Sequence, residues 1–534
     1  MSRRMSRECE VMSSRLGRRG AGVLTGALAV AMVAMTAVTA PAAVAGASAP
    51  SGGTLVVASS VFPPTLDPTA NAAAAIDEVF EYNVYQNLVQ LDPKGQVVPV
   101  LATSYNVSPN GLRYTFNIRR GAHFSNGDLL TPADVVFSLK RAANRKNNYP
   151  YGVLLRGMSS VVASGGKVVV TLKQPNNQFL YDLAAYSNGI VLDPATVKTL
   201  ATKPVGTGPY VFASEVTNYS VTLDRNPHYW GKAPGVSEVE FRYFSNPNSE
   251  IEALKTGQVQ VIDNLSNPED AKQFHGAGFK LINGPTNGKI QVTINNSAGP
   301  LAKTKVRQAI QYATDKQAIL QVAGGGYGRV IASDDVPGDP WYMPNLNKSY
   351  AYNPAKAKKL LAEAGYSHGL SLTLTLPPYN YALTAGPLVQ ANLDAVGIKV
   401  KIKDIQWPLW LTQVFSKHDY QLTIVDHVEA RDISEYGDCT YYWMYAGCKT
   451  VGAMLSKAQG ARTLAGEVRG YQAIVKRINE DAVNDWLYNP DQLTAAKSNV
   501  VGLPGSGLTE SFDLSHVSIG GSLGPSFVAQ GYSP

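Results

Sequence analysis

An α/β class with mixed sheets follows from three features of the 534-residue sequence. Short runs rich in valine, isoleucine and threonine alternate with helix-like segments along most of the chain. Apolar residues at 45% against charged residues at 16% give enough material for well-packed interiors. The length exceeds what one ordinary core holds, so two or three lobes are expected.

The elements follow in chain order. "TLVVASS" from Thr54 is a buried strand that ends at the proline-rich turn "VFPPTLDP". In "AAIDEVFEYNVYQNLV", Ile76, Val79, Phe80, Val84 and Leu88 recur at helical spacing, which predicts one helix through the segment. "NVSPNGLRYTFNI" reads as a hairpin turning at Asn110-Gly111, with Tyr114, Phe116 and Ile118 on one face. A helix opens at "TPAD", where Thr131 caps, Pro132 occupies the first turn and Asp134 bonds back. "NPAKAKKLLAEAG" repeats that logic with Asn353, Pro354 and a terminating Gly365. "TKVRQAIQYATDKQAILQVAGGG" predicts a third helix. Strands are expected at "KVVVTLK", "YSVTLDRN", "KIQVTIN", "LSLTLTL" and "IKVKIKDI".

The N-terminus differs in kind. Residues 1–20 carry six arginines and two glutamates; an uncharged stretch, Ala21–Ala40, and small residues follow. This is the pattern of a secretory leader, with cleavage expected after Ala45 in Ala43-Val44-Ala45. The apolar stretch approaches the length of a membrane span, so retention as an anchor stays open. No cysteine follows it for lipid attachment. The leader accounts for +4 of the formal +7, and the remaining +3 carries no basic block, so no nucleic-acid partner is expected.

Beyond the leader only Cys439 and Cys448 remain. In an exported chain they predict a disulfide, which by loop entropy contributes about 2–3 kcal/mol. A structural zinc would need two ligands more, and only His427 lies near, so no metal is expected. Nor is a cofactor. The glycines of "AGGGYGRV" follow a helix instead of joining strand to helix and fail the phosphate-loop context. No G-x-S-x-G or H-E-x-x-H occurs, and no free thiol survives pairing, so the residues give catalysis no support.

Five segments in order are similar to the large dipeptide- and oligopeptide-binding proteins of bacterial ABC importers, solute-binding family 5. They are "LATSYNVSPNGLRYTFNIRRGAHFSNGDLLTPADVVFSLKR", "GTGPYVF", "RNPHYWGKAP", "VRQAIQYATDKQAI" and "YNPAKAKKLLAEAGY". The resemblance implies a periplasmic-binding-protein-like clamshell of the class with an inserted domain. One lobe would combine residues 54–85, 206–287 and 500–534 with an inserted domain at 86–205. The second lobe would span 288–499, with the hinge near "GKIQVTINN" and "KSNVVGL". It also implies a monomer that takes a short peptide or small molecule between its lobes and delivers it to a permease with ATPase subunits. Non-peptide solutes (a sugar oligomer, an opine-like conjugate, a metal chelate) remain the alternative. A secreted hydrolase or an envelope chaperone on the same scaffold is the rival from another class.

Val425–Cys448 resembles the family loop that supplies an aspartate to a ligand's α-ammonium. His427 stands near the place of the family's tryptophan there, and Arg431-Asp432-Ile433 replaces its Asp-Pro step. Asp432 is the first candidate for that role and Glu429 the second, with local pairing to Arg431 as the alternative. Around the stapled loop lie Tyr436, Tyr441, Tyr442, Trp443 and Tyr445, and glycine and charge break every packing period among them. At least one is expected to face the cleft. By the same resemblance Trp407 and Phe62 are cleft candidates, with core packing as the alternative for Trp407 and its neighbour Trp410.

Overall fold

The computed structural model describes residues 52–520 except 72, 148 and 277. The expected leader and its cleavage site lie outside them, as does the C-terminal end of the first lobe's expected range. No helix among the described residues is long and apolar enough to cross a membrane.

One mixed sheet runs through both halves. From one edge its strands are Ile398–Asp404, Leu370–Leu376, Leu422–His427, Lys289–Ile294, Asp485–Lys497, Val261–Ile262, Thr54–Ser59, Glu238–Tyr243, Ser220–Arg225 and Tyr210–Val216. The thirteen-residue strand Asp485–Lys497 joins the halves. Its first part pairs with Lys289–Ile294 and Gly328–Val330, and its second part with Val261–Ile262 and Phe279–Pro285. Asn489 ties the change of partner to the other crossing by donating to the carbonyls of Thr286 (3.0 Å) and Gly288 (2.7 Å). The strand therefore leaves one half for the other near Pro490, earlier in the chain than the limit at Asn499.

A separate four-stranded antiparallel sheet, built from Ala102–Val107, Arg113–Ile118, Lys167–Leu172 and Met158–Ser164, lies within the expected insert. Its core of Tyr114, Phe116, Leu139, Val168, Val170 and Phe179 is distinct from those of the two half-sheets. The capping signals form as expected: Asp134 accepts from the Thr131 amide at 2.8 Å and Asn353 from the Lys356 amide at 2.9 Å.

Two helices are shorter than their apolar spacing suggests. The first stops at Phe80, because Tyr82 takes a left-handed φ of 63° and the chain turns to enter the insert. Val84 and Leu88 are still buried, but as part of that crossing. The third is two helices, Thr304–Ala313 and Lys316–Ala323, broken where Asp315 caps the second through the Ala318 amide. Gly328–Val330, the end of the glycine-rich run that follows this helix, pairs as a short strand.

Candidate functional site

Lys289 opens a strand with every residue buried, and register places it directly opposite His427, the last residue of Leu422–His427. The chain then bends at Arg431, whose φ of 53° is left-handed, and enters the turn Asp432–Gly437. That bend returns Asp432 to the strand pair. Its Oδ1 lies 2.8 Å from the Lys289 ammonium, with both side chains almost wholly buried. Lys289 also donates to the carbonyls of Asn287 (3.0 Å) and Glu429 (3.1 Å). Burial alone would lower the lysine's pKa, but Asp432 and Asp334 outweigh it and hold the ammonium charged, well above its usual range.

Asp432 thus has an ammonium partner from its own chain. The expected local partner, Arg431, points elsewhere. Its guanidinium donates to Gln178 Oε1 at 2.8 Å, lies 3.4 Å over the Tyr181 ring and stands 3.8 Å from Asp339. Gln178 in turn donates to Glu467 at 2.5 Å, Tyr186 donates to the Ala430 carbonyl, and Asn177 donates to the carbonyls of Gln459 and Ala461. Ala430 packs into the insert's own core. These contacts bring the wall at 430–467 against the insert at 177–186, so the structure is in a closed arrangement.

Glu429, with its side chain 42% exposed, is the open carboxylate of this wall. Glu510 and Tyr151 are near enough to feel its charge, and Asp77 and Glu81 act on Glu510 and Tyr151 in turn. Burial, then repulsion from Glu81, pushes Asp77 well above the carboxylate range; burial, then repulsion from Asp77 and Glu429, does the same to Glu510, and Asp77 and Glu510 share a hydrogen bond. Burial raises Glu81 from 4.5 to about 8, against a stabilising bond from Asn87. A carboxyl whose folded pKa is raised costs stability as it ionises. The contribution of Glu81 is therefore most favourable below pH 4.5 and is lost as pH rises towards 8. Glu81→Gln should melt at a higher temperature than wild type at pH 8.5, with the gap narrowing by pH 5; an equal gap at both would contradict this.

Four of the five rings are core. Tyr436, Tyr442, Trp443 and Tyr445 are at most 3% exposed, and Tyr436 stacks on Trp443 at 4.4 Å. Tyr441 alone is half-buried. Glycine and charge interrupt the run, yet four of the rings pack into a core, helped by the Cys439–Cys448 disulfide, which folds the loop back on itself. Tyr436, Tyr442 and Trp443 stiffen the wall from behind. Trp407 is half-buried between Tyr379 (5.2 Å) and Trp410 (4.7 Å), and Phe62 packs edge-on against Tyr243 at 5.0 Å. Sequence reasoning missed Lys289, Asp334, Asp339, Gln178 and Tyr181. The available signal was a lone lysine heading the apolar run "KIQVTI" at the expected hinge.

Two half-sheets joined by a shared strand, with carboxyls of the first half gathered near Glu429 of the second, define a clamshell solute-binding protein. The sequence profile of the bacterial extracellular solute-binding proteins, family 5, matches residues 96–449, and the chain belongs to that family. The glutathione-binding protein GsiB of Salmonella choleraesuis is 31% identical over 345 residues, 63% of this chain and 67% of GsiB. The binding protein AgaA of A. tumefaciens R10, solved with agropinic acid, superposes with a TM-score of 0.76 at 27% identity over 88% of this chain and 99% of AgaA. AppA of Bacillus subtilis, solved with a nonapeptide, shares the fold at a TM-score of 0.76 and 22% identity, again over 88% and 99%.

Proposed function

We propose that this chain is the extracytoplasmic receptor of an ABC importer. It takes a short peptide or peptide-like solute bearing a free ammonium group and presents the closed form to a permease driven by separate ATPase subunits. The observation that carries the reading is the acidic hollow. Glu429 faces Glu510, Asp77 and Glu81 across the meeting surfaces, and no lysine or arginine bonds to these four side chains among the described residues. Burial and crowding hold these carboxyls protonated, and a ligand cation beside them would let them ionise, so a hollow of this kind gains most from one. With Asp432 held by Lys289, Glu429 is the anchor for that cation. The names of the relatives agree in chemistry, since glutathione and the AppA nonapeptide are both peptides.

Glu429→Gln should weaken calorimetric binding of an unmodified di- or tripeptide at least tenfold, about 1.4 kcal/mol. The N-acetylated peptide should bind wild type and variant equally weakly. Equal affinity of both proteins for the free-amine peptide removes Glu429 from the site. A second reading, an opine-like amino-acid conjugate, is supported by the 27% identity to AgaA. Agropinic acid in the same titration separates the two.

A further inference from the structure

We propose that His427, Asp432 and Glu435 form a site for a divalent cation of the zinc class, set behind the solute hollow and independent of which solute the hollow takes. One donor atom from each of the three lies within 4.8 Å of the other two. Asp432 and Glu435 sit three residues apart on a 3₁₀ turn, the spacing at which side chains eclipse on one face. His427 faces them from the end of the neighbouring strand.

The histidine is prepared for this role. His427 Nε2 lies 2.8 Å from Tyr442 Oη, whose own proton can go to Thr293 Oγ1 (3.4 Å), so we assign the imidazole proton to Nε2. A second-shell bond of this kind fixes the tautomer and turns the Nδ1 lone pair the other way. That lone pair looks at Asp432 Oδ2 (3.8 Å) and Glu429 Oε2 (3.9 Å), beyond hydrogen-bond reach of either. A lone pair set against carboxylate oxygens is repulsive unless positive charge lies between them. No amine, amide or hydroxyl donor reaches Asp432 Oδ2 or Glu435 Oε2 among the described residues, and a further carboxyl, Asp334, stands beside Asp432.

Lys289 does not fill the gap. It holds the other oxygen, Oδ1, so the carboxylate bridges an ammonium and a metal position. Donors about 2.0–2.2 Å from a tetrahedral zinc stand about 3.4 Å apart, so His427 and Asp432, 3.8 Å apart, need draw in by about 0.4 Å, and Glu435, within 4.8 Å of both, by about 1.4 Å at most. The ring of Trp443 lies 5.5 Å from that of His427, and the disulfide begins two residues after the turn, which limits how far the donors can drift. A solvent water would supply the fourth ligand, since Glu429 is kept for the solute.

Metal-stripped full-length protein titrated with Zn²⁺ should bind one ion per chain, and Co²⁺ should give the intense visible band of a four-coordinate site. His427→Ala and the near-isosteric Glu435→Gln should each weaken Zn²⁺ binding at least about tenfold. Peptide binding is read separately on wild type, so this site and the solute reading can fail independently. Absence of the Co²⁺ band from wild type, or Zn²⁺ affinity unchanged in a folded Glu435→Gln protein, overturns the proposal.

Discussion

Lys289→Met should lower folding stability by about 3–5 kcal/mol, the cost of leaving one member of a buried ion pair without its partner. Lys289 and Asp432 are 2% and 4% exposed at the side chain, and the ammonium also serves two carbonyls. Asp432, Asp334 and Asp339 all act on that one cation, so its removal leaves repulsion as well as a gap. The double variant Lys289→Met/Asp432→Leu should recover a large part of the loss, because an apolar pair needs no neutralising charge. Urea unfolding of the three proteins checks this. A single variant within about 1 kcal/mol of wild type would mean that water reaches the pair and the core there is not dry.

Arg431→Ala should shift the balance between closed and open forms by about 2–3 kcal/mol, roughly 30- to 150-fold, with solute affinity falling by a similar factor. The guanidinium binds Gln178, covers the Tyr181 ring and faces Asp339, so it grips the insert from the second half. Its backbone sits in the left-handed region that arginine seldom adopts, a conformation kept up by the contacts of the side chain. Arg431→Lys should fall between, since lysine keeps the charge but loses the planar stack. Solute titration with scattering of each variant supplies the measurement. Unchanged affinity in Arg431→Ala would show that the contacts across the wall do not stabilise closure.

What was legible in the sequence was local. The caps at Thr131 and Asn353, the turn at Asn110-Gly111 and the pairing of Cys439 with Cys448 depend on neighbours within a few residues. The strands "KIQVTI" and "LSLTLTL" form where their β-branched and apolar runs lie. The helix ends were not legible, because Tyr82 and Asp315 break otherwise continuous apolar periods for reasons set by the crossing and by a cap. In the site, the wall from Val425 to Cys448 was found but its partners were not. Lys289 reaches Asp432 from 143 positions earlier, and Gln178 reaches Arg431 from 253. No spacing rule connects such residues. Which of the five rings would pack was not legible for a related reason, since Tyr436, Tyr442 and Trp443 meet only once the loop between Cys439 and Cys448 has folded back.

Small-angle scattering of the wild-type protein, free and then saturated with an unmodified peptide, bears most directly on a receptor that shuts around its solute. The free protein should scatter as the longer particle. With peptide its curve should move onto that calculated from the closed arrangement here, and the peptide should be recovered intact by mass spectrometry. Identical curves with and without bound peptide, or recovery of a cleaved product, would contradict the account.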